Sequence, residues 1–97
     1  MIRHIVLFKF KDGVSWEDPR AVEAEKATIA LAGKIPELRS WFVGRNISDR
    51  PIAYDYALIA GLADREALQG YITNIDHVEA VKQWAEISAW NIADVEY

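Results

Sequence analysis

The sequence predicts an α+β fold of order β-α-β-β-α-β, and three observations carry that reading. Four stretches are rich in β-branched and aromatic residues; the two regions between them carry helix-start signals followed by apolar residues at helical spacing. No Gly/Ser/Pro-rich linker, internal repeat or low-complexity tract interrupts them. At 97 residues the chain reads as a single domain, 1–97. Such a chain buries only about 60–65% of the surface its unfolded form exposes, so a lone monomer is modestly stable.

The first strand is expected over residues 2–11. It places His4, Val6, Phe8 and Phe10 on one face and Arg3, Ile5, Leu7 and Lys9 on the other, so both faces are substantially apolar. Asp12-Gly13 ends it. Asp18 followed by Pro19 supplies an N-cap and a first helical residue for a helix to about Ala32, with Gly33 as its stop and Ala24, Ala27, Thr28 and Leu31 as its buried stripe. A second strand is expected over 38–47, a surface turn at 48–51 and a third strand over 53–62. Asp64 caps a helix carrying Ala67, Leu68, Tyr71 and Ile72, which breaks near Thr73-Asn74. Asp76 restarts it in a capping-box pattern ending at Glu79, with Val78, Val81, Trp84 and Ala85 as the apolar stripe. Residues 90–97 form the last strand.

This order is the split βαβ, ferredoxin-like plan, a four-stranded antiparallel sheet with helices on one face. The chain is 52% hydrophobic and 11% aromatic, more apolar bulk than a small domain hides alone. A second copy packed on the open sheet face is the simplest cover, which predicts a homodimer closing into a dimeric α+β barrel. The aromatic set Trp16, Trp41, Phe42, Trp84 and Trp90 suits core, dimer interface or the wall of an apolar cavity.

Several function classes are disfavoured. A net charge of -4 and a pI near 5.1 give no basic stripe for nucleic acid. With no cysteine, the chain has no disulfide framework, thiolate metal site or cysteine nucleophile, which fits a cytoplasmic protein. The N-terminal apolar run is broken by Lys9 and Lys11 and is too short for a signal-peptide core or a bilayer span, so no membrane association is expected. Two histidines without a converging carboxylate show no metal-site spacing, and no phosphate loop or dinucleotide fingerprint is present, so neither metal nor cofactor is expected.

Separate segments resemble the stress-responsive dimeric A/B barrel (Dabb) family over nearly the whole chain. The opening run from Arg3 to Lys11 is similar to that family's histidine-led first strand, and Ile35-Pro36 leading to Gly44 and Asn46 to its second-strand approach. The runs from Tyr54 to Leu58 and from Asp64 to Leu68 resemble the third strand and the helix after it, and a terminal strand holds Asp94. The family pattern of Tyr, two variable residues, then His-Pro-any-His is met at Tyr71 and His77. Asn74 stands in place of the first histidine and Ile75 in place of the proline. A polyketide cyclase of the family, which makes olivetolic acid, uses the corresponding tyrosine and second histidine, with a first-strand histidine in its cavity. The resemblance thus implies Tyr71 and His77 as catalytic positions and His4 beside them.

From the residues themselves, His77 at the start of a helix meets two opposed influences. The exposed backbone N–H groups favour neutral imidazole and the adjacent Asp76 favours imidazolium. A neutral imidazole accepts a proton, and the Tyr71 hydroxyl orients it or donates to a developing oxyanion. Each residue also has a plain reading: His77 bonded to a local carbonyl, His4 as a satisfied core or interface group, Tyr71 as a buried ring with a wet hydroxyl. Asn74 can hydrogen-bond but cannot cycle a proton. The expected substrate-binding positions are His4, Val6, Phe8, Asn74 and Trp84. The leading expectation is a binder of a small apolar or oxygenated molecule, and, if an enzyme, a polyketide-cyclase-like catalyst of cofactor-independent proton transfer. The alternative is a non-catalytic, stress-associated ligand-binding or assembly module.

Overall fold

The computed structural model describes residues 1–97, and the elements run β1 (Ile2–Phe10), α1 (Pro19–Ala30), a 3-10 turn (Leu31–Gly33), β2 (Ser40–Arg45), β3 (Tyr56–Leu62), α2 (Arg65–Thr73), α3 (Ile75–Ile87) and β4 (Ser88–Glu96). The four strands form one antiparallel sheet in the order β2-β3-β1-β4, the ferredoxin-like arrangement, with the long strand β1 at its centre. No helix is long and apolar enough to cross a membrane.

Local chemistry sets the ends of the elements. The turn after β1 closes through Val14 N–H on the Lys11 carbonyl, with Gly13 at φ 83°, a conformation that favours glycine. The Asp18 carboxylate accepts from Arg20 N–H at 2.9 Å to cap α1. β2 is shorter than the expected 38–47. The Asn46 carboxamide bonds both the N–H and the carbonyl of Ser48 and curls the chain out of the sheet after Arg45. β3 likewise starts at Tyr56 rather than near Ala53, because Ala53 N–H is spent on the Arg50 carbonyl in a turn. β4 instead begins two residues early, at Ser88, directly where α3 ends.

The start of α3 differs from expectation in a way that matters for the site. Asn74, not Asp76, is its cap: the Asn74 side chain accepts from Asp76 N–H at 2.9 Å, and the Asn74 carbonyl takes the first helical bond from Val78. His77 is therefore the third residue of α3 rather than the first. Asn74 wins because its N–H already ends α2 on the Tyr71 carbonyl while its own carbonyl begins α3, leaving Asp76 inside the first turn. The buried stripe of α3 is Ala80, Trp84 and Ile87, while Ala85, expected on it, is exposed. In α1 the buried residues are Ala21, Ala24 and Thr28, and Ala27 is only half-buried.

The core lies between the helices and the face of the sheet bearing Ile2, His4, Val6 and Phe8 from β1, with Tyr56, Leu58, Ala60 and Leu62 from β3. Its centre is aromatic: Phe8 stacks on Trp84 at 4.3 Å, Trp84 on Tyr56 at 5.2 Å, and Trp16 meets Tyr56 edge-on at 5.5 Å beneath the Arg45 guanidinium. The other face carries Ile5 and Leu7 with Ile59, Phe42 and Ala93 alongside by register. Nothing in the chain covers it, and Leu7 and Phe42 are 42% and 62% exposed.

Candidate active site

Between the helices and the covered face of the sheet lies a cavity of about 230 Å³. β1 supplies His4, Val6 and Phe8; β4 supplies Trp90, Ile92 and Asp94; β3 supplies Leu58. Thr28 and Leu31 come from α1 and the turn after it, and Tyr71, Ile72, His77, Ala80, Val81 and Trp84 from α2 and α3. Of the seven residues expected at a site, six line this one cavity. Asn74 does not: its side chain is committed to capping α3. Among the five large aromatics, Trp84 and Trp90 form part of the wall, whereas Trp16 and Trp41 pack elsewhere and Phe42 points to the open side of the sheet.

The break at Asn74 is what brings Tyr71 and His77 together. Tyr71 stands on the last turn of α2 and His77 on the first turn of α3, and the change of direction between the helices places their rings 4.3 Å apart. His77 Nδ1 donates to the Ile72 carbonyl at 3.0 Å, the type of local carbonyl contact that α2 leaves free at its C-terminal end. That bond fixes the tautomer and leaves Nε2 as the ring's free nitrogen. Burial holds the His77 imidazole below the usual histidine range; the Ile72 carbonyl opposes this and neighbouring His4 adds to it. Tyr71 is 1% exposed. Burial, reinforced by the Asp94 carboxylate, pushes its phenol well above the ordinary tyrosine value, so it stands as a proton donor at neutral pH.

His4 also meets the Tyr71 ring edge-on, at 5.2 Å. His4 is 4% exposed, and its Nδ1 donates to Asp94 Oδ1 at 2.5 Å. The antiparallel register of β1 and β4 sets His4 directly opposite Asp94, so the contact follows from strand pairing. Asp94 is the cavity-lining side chain that sequence reasoning did not assign to the site. The signal was present once both strands were drawn: pairing the ends of the first and last strands antiparallel brings this carboxylate beside the histidine. Thr28 was placed on the α1 stripe without a role. Its hydroxyl accepts from Trp84 Nε1 at 2.7 Å and donates to the Ala24 carbonyl at 2.8 Å, which locks the indole forming the cavity wall.

The site therefore offers two imidazoles packed against one protonated phenol in an apolar hollow. Such a set can remove and return a proton and donate a hydrogen bond to an oxyanion. No group of three or more His, Asp or Glu side chains is placed to hold a metal ion.

Comparison with known proteins places the chain. The family model of the Stress responsive A/B Barrel Domain matches residues 2–97. An uncharacterized protein from Streptomyces coelicolor is 46% identical over 97 residues, covering 100% of both chains. The crystal structure of a dimeric ferredoxin-like protein of unknown function from Bacteroides fragilis has a TM-score of 0.84 at 31% identity, covering 99% of this chain and 95% of that one. A hydroxynitrile lyase from Passiflora edulis has the same fold, with a TM-score of 0.81 at 16% identity over 97% of this chain and 90% of the other. With a family match along its whole length and a full-length relative near half identity, this protein belongs to the stress-responsive A/B barrel, or Dabb, family.

Proposed function

We propose that the protein is a cytoplasmic homodimer, paired through its open sheet faces, whose cavity binds a small, largely apolar, oxygenated molecule and catalyses proton transfer next to a carbonyl. The observation that carries this reading is the setting of His77: tied through Nδ1 to the Ile72 carbonyl, held toward neutrality, and packed against the Tyr71 phenol. His77 Nε2 takes a proton from the carbon beside the carbonyl, and the electron pair of that C–H bond moves onto the carbonyl oxygen. The Tyr71 O–H donates to the enolate oxygen so formed. The enolate then attacks a second carbonyl in a cyclisation or aldol-type step, the electron pair of that C=O bond moves onto its oxygen, and His77 returns the proton to the alkoxide so formed. His4, held by Asp94, packs against the Tyr71 ring and helps to fix the phenol in place.

The dimer is supported by the uncovered apolar face and by the dimeric state of the Bacteroides fragilis structure. The Passiflora edulis lyase supports only the point that this backbone can carry an enzyme. A second reading, a binding module without catalysis, is favoured by Asn74: where the family pattern has a first histidine, this chain has a helix cap turned away from the cavity.

Thermal shift against a metabolite panel, followed by assay of each stabilising compound for consumption, separates the two, since both predict stabilisation and only the first predicts turnover. His77→Ala should lower turnover by about 10²-fold or more while the dimer stays folded. Unchanged turnover in that variant removes the assignment.

A further inference from the structure

We infer that the cavity selects an uncharged, flat ligand with its oxygen functions at one end, and excludes carboxylates and phosphates. This rests on reading the cavity as a ligand site and goes on to name the ligand class. No Arg or Lys is among its 15 lining residues, and the Asp94 carboxylate faces it from β4, engaged by His4. Burial holds His77 toward the neutral form, so it supplies no ready cation either. An anion moved from water into this hollow would lose its hydration, gain no counter-charge and approach a fixed carboxylate.

The polarity is also one-sided. Partway along the wall, the Thr28 hydroxyl is spent on Trp84 Nε1 and the Ala24 carbonyl, so this stretch offers ring surface rather than a hydrogen bond. Phe8 and Trp84 stacked at 4.3 Å, with Trp90 5.7 Å from Phe8, suit an aromatic or cyclic ligand. A phenol or cyclic ketone satisfies both ends, its oxygen meeting Tyr71 and His77 and its ring meeting the apolar wall.

The test is a matched pair of the same shape, 2-naphthol and 2-naphthoate, titrated calorimetrically into the intact protein at neutral pH. The naphthol should bind at least about tenfold more tightly. Tyr71→Phe should weaken the naphthol, which ties its binding to the polar end. Ile92→Lys, adding a cation at a half-exposed lining position, should raise affinity for the naphthoate by about tenfold. Naphthoate binding as tightly as naphthol overturns the inference and leaves the ligand site standing; so does an Ile92→Lys protein that gains nothing for the anion. Failure of both probes to bind overturns the inference together with the site.

Discussion

Burial acts in opposite directions on the two groups that face each other across the α2–α3 joint. It lowers the imidazole of His77 and raises the phenol of Tyr71, so that both are driven to their uncharged forms. The stability consequence has a definite sign. Because folded His77 binds its proton more weakly than the unfolded chain does, the unfolded state holds more protons between the folded value and the ordinary value of 6.5. The contribution is complete above that window and is lost as pH falls through it. Wild type should thus lose more Tm than His77→Phe between about pH 7.5 and about pH 5.5. Parallel loss in thermal melts at those two pH values would show that burial does not hold the imidazole neutral. That Tyr71, His77 and His4 could meet at one cavity was legible from the sequence, since few side chains of acid–base type stand on its apolar framework. The Asp94 contact was not, because it joins residues 90 positions apart and exists only in the paired strands.

At the scale of elements, the backbone of the joint at Asn74 still fits the proline of the family pattern, although Ile75 stands there. Ile75 is the first residue of α3 and is 68% exposed, and Asn74 has φ -59° and ψ 134°, the extended backbone that a residue before proline adopts. A proline at a first helical position forfeits no helical hydrogen bond. Ile75→Pro should therefore stabilise the fold by about 0.4–1 kcal/mol in urea denaturation, by restricting the unfolded chain. A loss of stability would mean that the joint needs freedom a proline removes. The strands and helices themselves were legible because periods of two and 3.6 are properties of local sequence. The helix start was not: Asn74 and Asp76 are both good caps, and the choice between them is made by how α2 ends rather than by either residue.

For the whole molecule, the same central strand serves both sides. His4, Val6 and Phe8 of β1 line the cavity, and Ile5 and Leu7 between them face the apolar surface proposed as the subunit contact. Phe42→Lys, placed on that surface beside Ile59, should shift sedimentation from dimer to monomer with the secondary structure intact. A variant that remains dimeric would put the contact elsewhere. Side chains along β1 alternate strictly from face to face, so the strand tolerates replacement far better than a change in length. Inserting or deleting one residue within it would carry an imidazole out to the open face of the sheet and a leucine into the hollow. Both roles would fail in one genetic event, and length variation among relatives is expected in the turns flanking this strand and not inside it.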